Sequence, residues 1–212
     1  RRNYRMIITV SREFGSGGRE LSKRLSETLQ MPYYDYEIIE MIAREHGFDE
    51  QYLHQLSEKS IQAVYSLTIG RRFATTPNYV AQQTVKIAVE QRKLIERLAA
   101  QEGGVFVGRC ADIILQDYQP FNIFVYGSKE AKLQRCIERS PEDEQLSGIE
   151  IERKMREVDK NRARQRKFFT DTKWGAKENY HLCLNTSGLE IKNVVSILAD
   201  YIMMWFAKKE RL

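Results

Sequence analysis

The chain has only three cysteines, Cys110, Cys136 and Cys183, far apart and with no C-x-x-C pair among them. That scarcity argues against a disulfide framework and a cysteine-bound zinc, and it fits a reducing compartment, so a cytoplasmic location is expected. Long apolar runs are also missing. The most apolar stretch, "VVSILADYIMMWF", is interrupted by Asp200 and is short for a bilayer span, so no membrane partner is expected. No secretory signal is read at the start, where "RRNYR" is given no role. Internal repeats and low-complexity tracts are lacking too.

What is there suits one domain. With 212 residues and 42% hydrophobic content, the chain can bury a full core. Charged residues make up 30% and the net charge is +5, a mildly basic balance common in proteins that handle anions.

Apolar runs and glycines set the order of elements. "MIITV" (6–10) reads as a strand, and a glycine-rich turn follows it. "ELSKRLSETLQ" then carries Leu21, Leu25 and Leu29 on one helical stripe. "PYYD" (32–35) is a short second strand. From Tyr36 to about Gly104 the pattern is mostly helical. One helix stops at Gly47, Asp49 caps the next, and a later run places Val85, Val89, Ile95, Leu98 and Ala99 broadly on one side. "VFVG" (105–108) and "FNIFVYG" (121–127) are buried strands, and Ser128 opens a helix after the second. Ser147 with Glu150 reads as a capping box, as does Ser187 with Glu190 ahead of the C-terminal helix. "YHLCLNTS" (180–187) is the fifth strand. Strands alternating with helices imply an α/β three-layer sandwich around a five-stranded parallel sheet. The core is expected at 6–35, 105–139 and 180–208, with a helical acceptor-binding region at 36–104 and a mobile lid at 140–175.

In such a sheet, ligands bind beyond the carboxyl ends of the strands. The stretch there is "ITVSREFGSGGREL". A phosphate-binding loop reads G-x-x-x-x-G-K-[ST]. Here the second glycine of that spacing, Gly17, is followed by Gly18, Arg19 and Glu20, so the lysine is absent. Gly15, Ser16, Gly17 and Gly18 still allow backbone N–H groups to converge on an anion at a helix start. The bland alternative is a tight turn without a ligand. Arg19 is the first cation after the glycines and a candidate to reach the β and γ phosphates, although a planar guanidinium is not a compact ammonium. Glu20 either ligates Mg²⁺ or repels the phosphates.

Arg109 follows the third strand, with Asp112 one helical turn later. Arg109 holds an acceptor phosphate or belongs to a structural salt bridge. Tyr33 and Tyr34 read as packing residues, and Tyr36 as packing or base stacking. The segment "ERKMREVDKNRARQRKFF" (152–169) is dense in cations. Arg156, Lys160, Arg164 and Lys167 share one face, and Arg162 and Arg166 another. It reads as a solvated helix, an RNA-binding surface or a lid whose arginines close over phosphoryl groups. The glycine loop favours the lid and makes nucleic acid the weaker reading.

"ITVSREFGSGGREL", "PYYDYEII", "VFVGRCADIIL" and "KWGAKENYHLCLNTS", in that order, resemble the cytidylate kinase-like family, a branch of the P-loop nucleoside monophosphate kinases. The resemblance runs over essentially the whole chain. It implies an ATP-dependent kinase that uses Mg²⁺ and transfers the γ-phosphoryl group to a small phosphorylated acceptor such as CMP. Cytidylate kinases carry a loop lysine where this chain has Gly18 followed by Arg19. They carry Asp-Ser and then an arginine where this chain has Asp35, Tyr36 and Met41, and Asp-Gly-Arg-Asp where it has Val107, Gly108, Arg109 and Cys110. On this reading Arg19, Arg162 and Arg166 are the catalytic cations, and Gly15 to Glu20 hold the donor. Asp35, Tyr36, Arg109, Asp112 and Asp159 bind the acceptor, and no metal ligand is assigned. The alternatives are a nucleotide-binding regulatory protein without phosphotransfer and an RNA-binding module. Ile191, Val194, Val195, Leu198, Ile202 and Trp205 form the stripe of the last helix that packs on the sheet. Ile197, Tyr201 and Met204 are left over, which makes a homodimer through this helix an expectation.

Overall fold

"IITVSR" forms strand β1, Ile7–Arg12, at the centre of the sheet. The computed structural model describes residues 5–35, 79–140 and 146–209. Within them β2 (Tyr33–Tyr34), β3 (Gly104–Val107), β4 (Phe121–Tyr126) and β5 (Leu182–Asn185) complete a five-stranded sheet in the order β2-β3-β1-β4-β5. Every pairing is parallel. Parallel strands are covered on both faces, so β1 reads as a nearly continuous buried run and not as an alternation.

Side-chain alternation along the strands sorts the core into two layers. Ile8 and Val10 of β1 join Val105, Phe121, Ile123 and Val125 under helices α1 (Gly18–Leu29) and α6 (Ile191–Lys209). Ile7, Phe106 and Tyr34 face the other way, onto Leu94, Ile95, Leu98 and Ala99 of α2 (Tyr79–Gln101) and onto the short α3 (Ala111–Ile114). A helical layer on each face of the sheet is the expected α/β sandwich. Helices α4 (Lys129–Glu138) and α5 (Gly148–Phe169) stand at the loop end.

Local signals explain most of the boundaries. The Ser128 hydroxyl accepts the Ala131 N–H and starts α4. Ser147 and Glu150 form the reciprocal capping box at the start of α5. The second expected box does not form. Ser187 donates its hydroxyl to Asn185 and accepts the Ser128 N–H, so it braces the turns after β4 and β5. Glu190 instead pairs with Lys192, and α6 begins at Ile191. A second difference concerns α2, where Val85 and Val89 are exposed. Gln91 and Leu94 are buried, where the helix reaches the sheet.

Tyr34 is the packing residue it was read to be. It stacks on Phe106 and donates its hydroxyl to Glu102. On α6, Ile191, Val195, Leu198 and Ile202 are buried, while Ile197, Tyr201 and Met204 are exposed. No helix among the described residues is long and apolar enough to cross a membrane. The expected helices at 36–78, with Tyr36, Met41, Gly47 and Asp49, lie outside the described residues, as does "RRNY".

Candidate active site

The turn after β1 is held from three sides. Glu13 extends the strand by donating its N–H to Val125, and its carboxylate accepts Lys132 Nζ at 2.8 Å. The Ser16 hydroxyl donates to the Glu13 carbonyl, and the Ser16 carbonyl accepts Thr186 Oγ1 at 2.7 Å. Arg135 donates to the Gly15 and Thr186 carbonyls, and Phe14 donates its N–H to Asp159 of α5 at 2.7 Å. Ser16 is fully buried, so its side chain closes the loop from within and does not face a ligand.

With its carbonyls engaged, the loop presents donors. Helix α1 starts on Gly17, which has φ 80° and no side-chain cap. A glycine there leaves the first-turn N–H groups without a capping oxygen, and the helix start adds positive potential. They open onto a cavity of about 420 Å³ lined by Gly15, Gly17 and Gly18 with Arg135, Arg139 and Lys154. Lys132, Arg135 and Arg139 share one face of α4, three and four residues apart.

A second, smaller cavity of about 90 Å³ lies beyond β2 and β3, lined by Arg12, Arg19, Asp35, Arg109, Arg162 and Trp174 among others. Arg12, Arg19 and Arg162 line both cavities. Asp35 is the buried carboxylate between them. It accepts Arg19 Nε at 2.7 Å, the Tyr33 hydroxyl at 3.3 Å and Arg12 at 3.4 Å.

Arg109 sits in a strained turn. Gly108, Arg109 and Cys110 have φ of 70°, 55° and 53°, so two non-glycine residues occupy the left-handed region. Such geometry costs on the order of 1–3 kcal/mol per residue and gathers at functional sites. It is held by Gln91, which donates to the Arg109 carbonyl, and by the first turn of α3.

Helix α5 closes the space between the cavities. Arg162 donates to the Arg12 carbonyl at 2.9 Å and pairs with Asp159 at 3.4 Å. Burial pushes the Asp159 carboxyl up from its usual value, against the Phe14 amide and Arg162, which pull it down. Arg166 lines the smaller cavity as well. It pairs with Asp112 at 2.5 Å in a fully buried contact and also donates to Thr172. Burial works against its charge, but Asp112 outweighs burial and holds Arg166 above its usual value. The pair expected as one catalytic cation and one acceptor ligand ties α5 to α3 at the wall of the smaller cavity. Glu20 likewise turns away from the loop to Arg24 and Arg139. Partial burial pushes Glu20 up, but the hydrogen bonds from these two arginines prevail and keep its carboxyl below the usual range.

The structure therefore gathers Gly15, Gly17, Gly18, Arg19, Asp35, Arg109, Asp112, Arg162 and Arg166 around two adjoining cavities, with Asp159 bonded to the loop beside them. Sequence reasoning missed Arg12 and the α4 cations. The α4 spacing was legible as a helical face, whereas Arg12 read only as the end of a strand.

The family model described as the cytidylate kinase-like family matches residues 7–188.

This chain belongs to the cytidylate kinase-like family.

The fold agrees. An uncharacterized protein from Eubacterium ventriosum is 26% identical, with a TM-score of 0.67 over 93% of this chain and 98% of that one. Shikimate kinase from Bacteroides thetaiotaomicron, 12% identical with a TM-score of 0.51 over 93% and 98% of the two chains, shares the fold. No curated protein matches.

Kinase-like families imply a nucleotide and Mg²⁺. Phosphate groups fit this site, because the uncapped start of α1 and six cations line the larger cavity. An all-protein cage for Mg²⁺ does not fit among the described residues. Glu13, Glu20, Asp35 and Asp159 are each bonded to a cation, an amide or both. Among the described residues no group of three or more His, Cys, Asp or Glu side chains could hold a metal.

Proposed function

We propose that this member of the family is an ATP-dependent kinase that transfers the γ-phosphoryl group to a small phosphorylated acceptor of the nucleoside monophosphate class, CMP among them. The observation that carries the reading is the shared wall of two cavities, one at an uncapped helix start and one beside Asp35 and Arg109, with Arg12, Arg19 and Arg162 common to both. The loop N–H groups and α4 cations bind the donor phosphates in the larger cavity. Arg109 holds the acceptor phosphate in the smaller one, and Asp35 orients the arginines between them. The P–O bond to the ADP leaving group breaks as one forms to an acceptor phosphate oxygen. Positive charge fixed at the join stabilises the transferring group, which is how phosphoryl transfer is chiefly accelerated. Asp159 and Arg162 latch α5 over the loop, so this helix acts as the lid that keeps water out.

The second reading is a nucleotide-binding regulatory protein. It is favoured by the absent loop lysine and by carboxylates that are all engaged by other groups. Incubation with ATP and each nucleoside monophosphate, with chromatographic detection of ADP and the diphosphate product, separates the two. ADP formed together with a diphosphate product establishes the kinase. Nucleotide-dependent thermal stabilisation without any product establishes the regulator.

A further inference from the structure

Gly18 occupies the place of the loop lysine, and its surroundings show why no lysine stands there. A Cβ on Gly18 would lie 2.5 Å from the Arg12 Cβ and 2.9 Å from its Cγ. At the far end of the same side chain, a Cβ on Gly108 would overlap Arg12 Nη1. Two glycines from different loops thus clear a channel for one arginine. We propose that Arg12 is the cation that bridges the donor and acceptor phosphoryl groups, and that it holds the room a loop lysine would need. This rests on the kinase reading above.

Three arginines line both cavities, and their partners distinguish them. Arg19 is bonded through Nε to Asp35, and its side chain is 61% exposed. Arg162 is spent on the Arg12 carbonyl and Asp159. The Arg12 side chain is only 14% exposed, and its guanidinium makes one long hydrogen bond, 3.4 Å, to an oxygen of Asp35. No buried side-chain nitrogen among the described residues lacks a partner, so the remaining Arg12 N–H groups keep solvent contact and are open to an anion in the cavities that Arg12 lines.

The surrounding charges favour an anion there. Burial pulls Arg12 down to about 9, Arg162 adds to the effect, Asp35 opposes it, and Arg109 and Arg19 lower it further. The group stays charged at neutral pH, and Arg19 competes with it for its one carboxylate. A ligand with two adjacent phosphoryl groups, one in each cavity, supplies that anion. Arg12 is placed to bind both, because it ends β1 where the two cavities meet. A lysine at position 18 would displace it, so the lysine-less loop and Arg12 form one device.

The test is calorimetry of ATP and of inorganic pyrophosphate with the full chain and four variants, Arg12→Met, Arg12→Lys, Arg19→Met and Gly18→Lys, each checked by circular dichroism. Arg12→Met weakens both ligands roughly ten- to hundredfold, as for loss of one or two charge-assisted hydrogen bonds. Arg12→Lys recovers part of that loss, and Arg19→Met loses less than Arg12→Met. Gly18→Lys, which restores the usual loop pattern, weakens ATP because it evicts Arg12. Should Arg12→Met fail to fold, Gly18→Lys still decides, since tighter ATP binding there overturns the proposal. A folded Arg12→Met that binds ATP like the parent also overturns it while leaving the kinase reading standing. A parent chain that binds no ATP overturns both.

Discussion

The guanidinium of Arg12 lies where Gly108 would carry a β-carbon, so the end of β1 and the turn after β3 share one volume. Gly108 also has φ 70°, a backbone that a side chain resists. Gly108→Ala is therefore expected to destabilise the protein by at least about 1–2 kcal/mol from the left-handed backbone alone. Displacement of Arg12 adds to that cost and weakens ATP binding. Thermal denaturation and calorimetry on the same preparation read both effects. A variant with unchanged melting temperature and affinity would show that the volume is not shared.

Arg12 also gives the site a pH dependence of known sign. Its folded-state value is lowered to about 9, so the folded chain sheds this proton more readily than the unfolded one. The charged guanidinium burdens the fold at neutral pH, and that burden lifts as pH rises past about 9. Anion affinity changes in the opposite direction, declining as pH passes about 9 because the neutral group no longer attracts phosphate. Pyrophosphate titrations across this range should show the decline in the parent chain and not in Arg12→Met.

Asp112 and Arg166 form a buried pair, with side chains 3% and 2% exposed. Removal of either partner leaves a buried charge alone. Arg166→Met or Asp112→Asn is expected to cost about 3–5 kcal/mol of stability. The double variant, which leaves no orphan charge, should regain most of it. Denaturant unfolding of the four proteins measures the coupling, and strictly additive losses would count against the pair as a unit.

Asp159 joins α5 to the loop through the Phe14 amide. Asp159→Ala leaves a part-buried donor unpaired, a loss of about 1–3 kcal/mol. Amide exchange should quicken at Phe14 and along 152–169 in this variant. In the parent the same amides should slow when ATP and a nucleoside monophosphate are both present, and respond little to RNA. Protection by RNA alone would reject the lid.

The five strands, their parallel arrangement and the glycine loop were legible in the chain because each is a local signal. Continuous apolar runs mark strands buried on both faces, and glycines mark the one backbone that can wrap an anion. Ser128 and the Ser147–Glu150 box set their helix starts for the same reason, since every group involved lies within one turn. The Ser187–Glu190 pattern is equally good locally, yet fails because the Ser128 amide, distant in the chain, takes the Ser187 hydroxyl oxygen while neighbouring Asn185 takes its proton. The site follows the same division. The sequence by itself determined that cations and a lysine-less loop would stand at the carboxyl ends of the strands. It did not determine which arginine faces the ligand. That was decided by pairing across long separations, Arg166 with Asp112, Arg19 with Asp35, and Arg162 with the Arg12 carbonyl. A guanidinium is long and flexible enough to satisfy any carboxylate within reach. Only the packed structure sets which carboxylate that is, and it leaves Arg12, cleared by Gly18 and Gly108, on a single 3.4 Å contact with Asp35.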